Sequence, residues 1–310
     1  MKNSTVLILG FISLFMLQSS LAQAGQIVTK GDKTWAQQVI EQEKSREPVF
    51  APNTVAVLYF RNTTGKDTLD PLQKGLAFLL MTDLSQLEKI QLVERVKIQA
   101  LVEELNLGTS GLVGEGSVPR VGRLLGVSYL VGGDILPASA AELEVRSSLL
   151  GVKDEHVLGQ PGAEGKLAEI FSLEKKILFE IIDLLKIELT PEQRAKLQKP
   201  FTTDLNALMN FVNGMDSSDK GDYSKAGNYY QNAIQQDPQM QPAQDALSEL
   251  KSLSLITAPK KSQVMLRTLQ NSTTTTGSPV NTSTNVTQQP NTPSEIERKA
   301  SEAGNVKVKW

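Results

Sequence analysis

The 310-residue sequence contains no cysteine and one histidine, His156. The absence of cysteine excludes disulfides, thiolate metal sites, a thiol nucleophile and the acylated cysteine of a bacterial lipoprotein. A zinc site would have to rely on carboxylates, which suit harder ions better. The 32 Lys and Arg residues nearly balance the 34 Asp and Glu residues, so there is no basic field of the kind that attracts nucleic acid. We therefore expect neither a nucleic-acid partner nor a metal.

Sequence motifs for catalysis are also missing. The chain has no GxSxG, SxxK or DxDxDG pattern, and the glycine-rich stretches 108–116 and 131–133 do not match GxGxxG. Gly65-Lys66 fails as a phosphate loop because the first glycine is absent and Asp67 replaces the Ser or Thr. Glu103-Glu104, Glu142/Glu144 and Asp154-Glu155 are typical of solvated faces, and His156 is expected at a surface turn. We assign no catalytic, cofactor-binding or metal-binding residue, and we expect no cofactor and no enzymatic activity.

Residues 1–24 have the pattern of an export signal. Lys2 supplies a positive start, an apolar run of about 12 residues follows, and Ala22-Gln23-Ala24 fits a small-x-small cleavage site. The run is shorter than the roughly 20 residues of a membrane-spanning helix, so we predict cleavage after Ala24 and a periplasmic location. An uncleaved anchor is the alternative, and peripheral association with the outer membrane stays open.

Hydrophobic patterning divides the remainder into four parts. We predict a tether with a short helix over 25–50, an α/β domain over 51–199, a helical module over 200–256 and a disordered tail over 257–310. Predicted strands cover 55–60, 90–93, 127–136, 142–149 and 157–159, and predicted helices cover 72–87, 95–105, 117–125 and 166–189. Asp70 is expected to cap the first of these helices, with Pro71 at its first position. The alternation of βα units and a later hairpin indicates an α/β sandwich of two or three layers.

The helical module has the residue spacing of one tetratricopeptide helix pair. Small residues at positions such as Ala207, Gly214 and Ala226 would let two helices approach closely, and Tyr230 would fill the gap between them. A single repeat cannot bury its own apolar face, so the module should pack against the α/β domain or against another chain. The final segment 305–310 alternates apolar and polar residues, and we interpret it as a frayed tail or as a strand added to a partner's sheet.

Several segments together resemble the curli secretion component CsgG and its relatives. They are the stretch 55–65, Leu92-Val93-Glu94-Arg95, the stretch 101–107, Ser110-Gly111-Leu112 and Leu124-Leu125-Gly126-Val127-Ser128-Tyr129-Leu130-Val131-Gly132-Gly133. The resemblance covers about residues 50 to 190 and implies an α/β core related to the N-terminal domain of TolB. It also implies a bacterial envelope protein that acts in assembly or secretion. CsgG itself is a lipoprotein with membrane hairpins, whereas this chain lacks the anchoring cysteine and has only one compact hairpin between Leu136 and Lys166.

The resemblance leaves three functional hypotheses open. The first is a non-catalytic periplasmic protein that binds other envelope proteins in curli-type transport and assembly, or that regulates a cell-wall or flagellar complex. The second is a channel or collar subunit that self-associates into a ring at the outer membrane. The third is an enzyme or ligand receptor with a site across the sheet, for which Glu94, Arg95 and Asp134 are the best candidates.

Overall fold

A seven-stranded mixed sheet forms the centre of the computed structural model, which describes residues 27–45, 48–107, 117–139 and 141–256. The strands are β1 (Ala51–Val57), β2 (Arg61–Asn62), β3 (Gln91–Leu92), β4 (Val127–Pro137), β5 (Glu142–Gly151), β6 (His156–Gly159) and β7 (Gly162–Lys166). The predicted export signal, the glycine-rich stretch 108–116 and the predicted tail lie outside the described residues.

The sheet is parallel at one end and antiparallel at the other. The strand order is β3-β1-β4-β5-β6, with β2 also paired to β4 and β7 also paired to β5. β1 runs parallel to β3 and β4, whereas β5 runs antiparallel to β4, β6 and β7. Residues 54–60 are all buried, as expected for a parallel strand that is covered on both faces.

Nine α-helices lie within the described part of the chain. They are α1 (Lys30–Gln42), α2 (Pro71–Leu84), α3 (Arg95–Glu104), α4 (Ser117–Leu125), α5 (Ile170–Leu184), α6 (Pro191–Leu197), α7 (Leu205–Asp219), α8 (Tyr223–Gln236) and α9 (Gln241–Ser252). We refer to α7, α8 and α9 as the helical module.

Helices cover both faces of the sheet, which makes the sandwich three-layered. On one face α4 packs against β4 so closely that a Cβ on Gly122 would lie 2.7 Å from the Leu130 side chain. On the other face α5 packs against β7, where a Cβ on Gly165 would lie 3.1 Å from the Leu173 side chain. The predicted α/β sandwich followed by a helical module is confirmed.

The start of α2 differs from its predicted form. Asp70 has helical backbone angles and makes no capping hydrogen bond, because its carboxylate instead accepts from the side-chain amides of Asn62 and Gln73. Twelve of the 14 residues of α2 are buried, so this helix is enclosed rather than amphipathic with one wet face.

The last strand of the sheet, β7, was not predicted from the sequence. Residues 162–166 form β7, and α5 begins at Ile170 and ends at Leu184 instead of extending over 166–189. The inward positions of β7 are Ala163 and Gly165, whose side chains are too small to give an alternating apolar signal. The helix α6 was not predicted either, although Thr190 and Gln193 form a capping box at its start and Pro191 is its first residue.

Candidate interaction surfaces

A group of charges, buried except for the 39% exposed Asp216, lies where α7 meets the α/β core. We call Lys74 of α2, Arg95 of α3, and Asp216 and Asp219 of α7 the junction cluster. Arg95 donates from both terminal nitrogens to the Asp219 carboxylate at 3.0–3.1 Å, and Lys74 Nζ lies 2.8 Å from Asp219 Oδ2 and 3.0 Å from Asp216 Oδ1. The Arg95 and Asp219 side chains are each only 3% exposed. Two cations of the core are thus matched by two carboxylates of one helix.

Two neutral side chains of the core extend the hydrogen bonding of the junction cluster. Arg95 Nη1 donates to the Tyr59 hydroxyl at 3.2 Å, and that hydroxyl donates to Gln99 Oε1 at 2.8 Å. Burial is the largest single influence and would lower the pKa of Lys74 and Arg95, but the Asp219 carboxylate together with the other neighbouring groups outweighs it and raises the pKa of both. Both cations therefore remain charged throughout the physiological range.

Aromatic and apolar contacts surround the junction cluster. The Phe78 ring of α2 packs 4.7 Å from Phe211 and 5.8 Å, edge-on, from Phe201. Phe211 in turn lies 5.8 Å from Tyr230 of α8. Gly75 lets α7 approach, since a Cβ there would lie 3.2 Å from the Val212 side chain. The apolar face of α7 is therefore covered by α2, and the module packs on the core of its own chain.

A second feature is an apolar groove of about 350 Å³ beside α1 and α4. Its apolar lining includes Trp35, Val39, Pro48, Val49, Leu124 and Leu125, with Glu43 and Arg123 among its polar residues. Val49 is 81% exposed, the highest value among the large apolar residues that the structure describes as exposed. The Arg120 guanidinium donates to Glu43 at 2.8 Å and thereby lowers the pKa of that carboxyl, so the rim carries charge of both signs at neutral pH. An apolar patch with a charged rim is typical of a protein-binding surface.

The structure separates the three residues considered for a catalytic or ligand site. Glu94 is exposed and precedes α3, where its side chain makes no capping bond. Arg95 belongs to the junction cluster, whereas Asp134 is a partly exposed residue of β4 that accepts a 2.8 Å hydrogen bond from Arg61 of β2. Arg95 and Asp134 thus form two different ion pairs. His156 is exposed at the start of β6, as expected for a turn residue.

Several functional candidates were missed at the sequence level. Lys74 interrupts the leucine-rich α2, and Asp216 and Asp219 lie near the end of α7. Glu174 has a clearer signal, because it falls three or four residues from Ile170, Phe171, Ile177 and Leu178 and therefore lies on their apolar face. A charge at such a position indicates a buried polar contact, but not its partner.

Within the described ranges, no three His, Cys, Asp or Glu residues come close enough to hold a metal ion. Across those same residues, no helix has both the length and the apolar character needed to cross a bilayer.

Known proteins resemble the α/β core. Residues 36–151 match the family model described as CsgG, curli production assembly/transport component. No curated protein matches the chain significantly.

Three solved structures are among those similar to this chain. The C-terminal domain of LpoB from Salmonella enterica is 13% identical, with 44% of this chain and 98% of that chain covered and a TM-score of 0.28. TolB from Acinetobacter baumannii is 18% identical, with 46% and 30% covered and a TM-score of 0.30. Lipoprotein GNA1162 from Neisseria meningitidis is 8% identical, with 45% and 100% covered and a TM-score of 0.34.

The family match begins inside α1 and ends at the last residue of β5, so it spans the parallel half of the sheet and the β4–β5 pair. It confirms the resemblance carried by the segments around Val55, Arg95 and Leu130. Residues 36–151 of this chain are therefore similar to the CsgG family.

Proposed function

We propose that this chain is a non-catalytic, exported envelope protein that acts in the assembly or secretion of cell-surface material through contacts with other envelope proteins. The observation that carries the proposal is the CsgG-family match over residues 36–151. The family description names a transport and assembly component, and an assembly component acts by binding other proteins. The helical module, which we interpret as tetratricopeptide-like, acts with the core as one body because the junction cluster joins them.

The groove beside α1 and α4 supports this proposal. It lies within the family-matched segment except for the first residue of its lining, Trp35. Burying its apolar lining against a protein partner would favour binding by roughly 25 cal/mol per Å² of apolar surface removed from water. Its charged rim would remain solvated around such a contact.

Deletion of the gene tests the proposed pathway. We expect the deletion strain to lose fibrous or secreted surface material, measured by electron microscopy and by quantitative proteomics of the outer envelope. Expression of the full chain should restore it, whereas a chain without residues 1–24 should not, because it would stay in the cytoplasm. Unchanged surface material in the deletion strain would contradict the proposal.

A pair of valines tests whether the groove is the contact surface. Val49→Asp places a charge at the groove, and Val157→Asp places the same charge on β6, where Val157 is 44% exposed. Both variants should unfold within a few degrees of the natural chain, because neither side chain is buried. We expect only Val49→Asp to fail in restoring the deletion strain; equal restoration by both variants would exclude the groove as the contact surface.

Particle mass separates the proposal from the ring-forming alternative. Purified mature protein should elute as a small particle in size-exclusion chromatography with light scattering. Ring particles of many copies would instead favour a channel or collar subunit.

A further inference from the structure

A second buried group of charges links α2 to α5, away from the junction cluster. It consists of Asp83 of α2 and Glu174 and Lys175 of α5, and we call it the carboxylate pair with its lysine. The side chains of Glu174, Asp83 and Lys175 are 1%, 6% and 12% exposed. These three groups are therefore shielded from water in the layer of helices beneath the sheet.

The single lysine does not satisfy both carboxylates. Lys175 Nζ donates to Asp83 Oδ2 and lies 3.7 Å from Glu174 Oε2. The Gln86 side-chain amide donates to the other oxygen of Asp83 at 3.2 Å. Glu174 Oε1, in contrast, is buried without a hydrogen-bond partner among the described residues. Two ionised carboxylates here would leave one uncompensated negative charge and one unsatisfied acceptor, both of which are costly in a buried site.

We propose that Asp83 and Glu174 share one proton at neutral pH, and that this proton makes the α2–α5 contact a pH-sensitive element of the fold. A protonated Glu174 can donate a hydrogen bond, which removes the repulsion between the carboxylates and leaves Asp83 ionised opposite Lys175. Burial raises the pKa of Glu174 well above its ordinary value, and the charge of Asp83 raises it further. The charged groups that face Glu174 are Asp83 from α2 and Lys175 from its own helix.

The direction of the pH effect follows from proton binding. The unfolded chain has an ordinary Glu174 pKa of 4.5, and the folded chain has a higher one. The stabilisation is therefore complete below pH 4.5 and is lost as the pH rises through the folded pKa. In that window the folded state binds one more proton than the unfolded chain, so each unit rise in pH lowers the folding equilibrium constant by up to about tenfold.

The consequence extends to the helical module through α2. This helix carries Asp83 near its end, and it also carries Lys74 and Phe78, which hold α7. Loss of the shared proton would loosen α2 against α5 and thereby weaken the support of the module. An exported protein meets the pH of its surroundings, so the contact would tighten in an acidic medium.

Glu174→Gln tests the proposal, since an amide supplies the donor without any titration. We expect the stability of the natural chain to fall between pH 5.5 and 8 relative to the Glu174→Gln variant, as measured by urea unfolding of the full chain. Glu180→Gln on the exposed side of α5 is the matched control and should follow the natural chain. Parallel pH profiles for the natural chain and Glu174→Gln would overturn the proposal.

A direct measurement covers the case in which Glu174→Gln does not fold. The natural chain should show the carbonyl band of a protonated carboxylic acid in its infrared spectrum at pH 7. Asp83→Asn should shift the titration of that band to lower pH, because it removes the neighbouring negative charge. A spectrum at pH 7 without the protonated band would equally overturn the proposal.

Discussion

Asp219 is the residue on which the junction between core and module depends. Its carboxylate accepts from Arg95 and Lys74, and all three side chains are at most 7% exposed. The Asp134–Arg61 pair has the same chemistry, but its side chains are 24% and 40% exposed. The two aspartates therefore offer a comparison in which burial is the main difference.

We expect Asp219→Ala to lower the free energy of unfolding by about 3–5 kcal/mol, because it leaves two buried cations without their shared partner. Asp134→Ala should lower it by no more than about 1 kcal/mol, since a solvated ion pair contributes little. Chemical denaturation of both variants measures the difference. Equal losses would mean that the junction cluster contributes no more than a surface pair.

At the scale of elements, the approach of α7 to α8 depends on one glycine. A Cβ on Gly214 would lie 2.4 Å from Cε1 and 2.5 Å from Cδ1 of Tyr230, which is fully buried. Tyr230 cannot move away easily, because its ring also packs on Phe211. The helix-pair spacing predicted a small residue at Gly214, and the structure shows that a larger one would clash with the Tyr230 ring.

Gly214→Ala should destabilise the protein by about 1–3 kcal/mol through overpacking, although alanine is the better helix former. Gly31→Ala in α1 is the control, since the nearest neighbour of its Cβ would be Thr29 Oγ1 at an ordinary 3.5 Å. That variant should be unchanged or more stable by up to about 1 kcal/mol. A stabilising Gly214→Ala in thermal unfolding would show that the two helices have room to separate.

At the scale of the whole molecule, the helical module covers a face of α2 that would otherwise be exposed. Phe78, Lys74 and Gly75 all contact α7 or the residues just before it. We therefore expect the core to depend on the module, so that residues 51–199 and 200–256 fold as one unit.

A chain of residues 25–199 should consequently bind the dye ANS and aggregate on size-exclusion chromatography. Removing α7 exposes Phe78 and takes the Asp216 and Asp219 carboxylates away from Lys74 and Arg95. A chain of residues 25–256 keeps every contact described above and should behave like the natural protein. A monomeric, cooperatively folding 25–199 chain would show that the core is stable without the module.

Much of the fold could be predicted because local patterns report burial. The continuous apolar run at 55–60 predicted the buried parallel strand β1, although that strand ends at Val57, and the alternation in 142–149 predicted β5. Gly126 was predicted to end α4, and its φ of +67° confirms a left-handed backbone conformation that favours glycine. The strand β7 was missed for the opposite reason, since its inward side chains, Ala163 and Gly165, are too small to form a pattern.

The sequence by itself determined the fold class: an α/β core, with segments that resemble the CsgG family, followed by helices. Tertiary structure alone decided which charges meet. Arg95 and Asp219 are 124 residues apart in sequence, and Asp83 and Lys175 are 92 residues apart. Periodicity reports only whether each residue faces inward, whereas a buried charge requires a specific partner, and that partner is fixed only when two distant helices pack together.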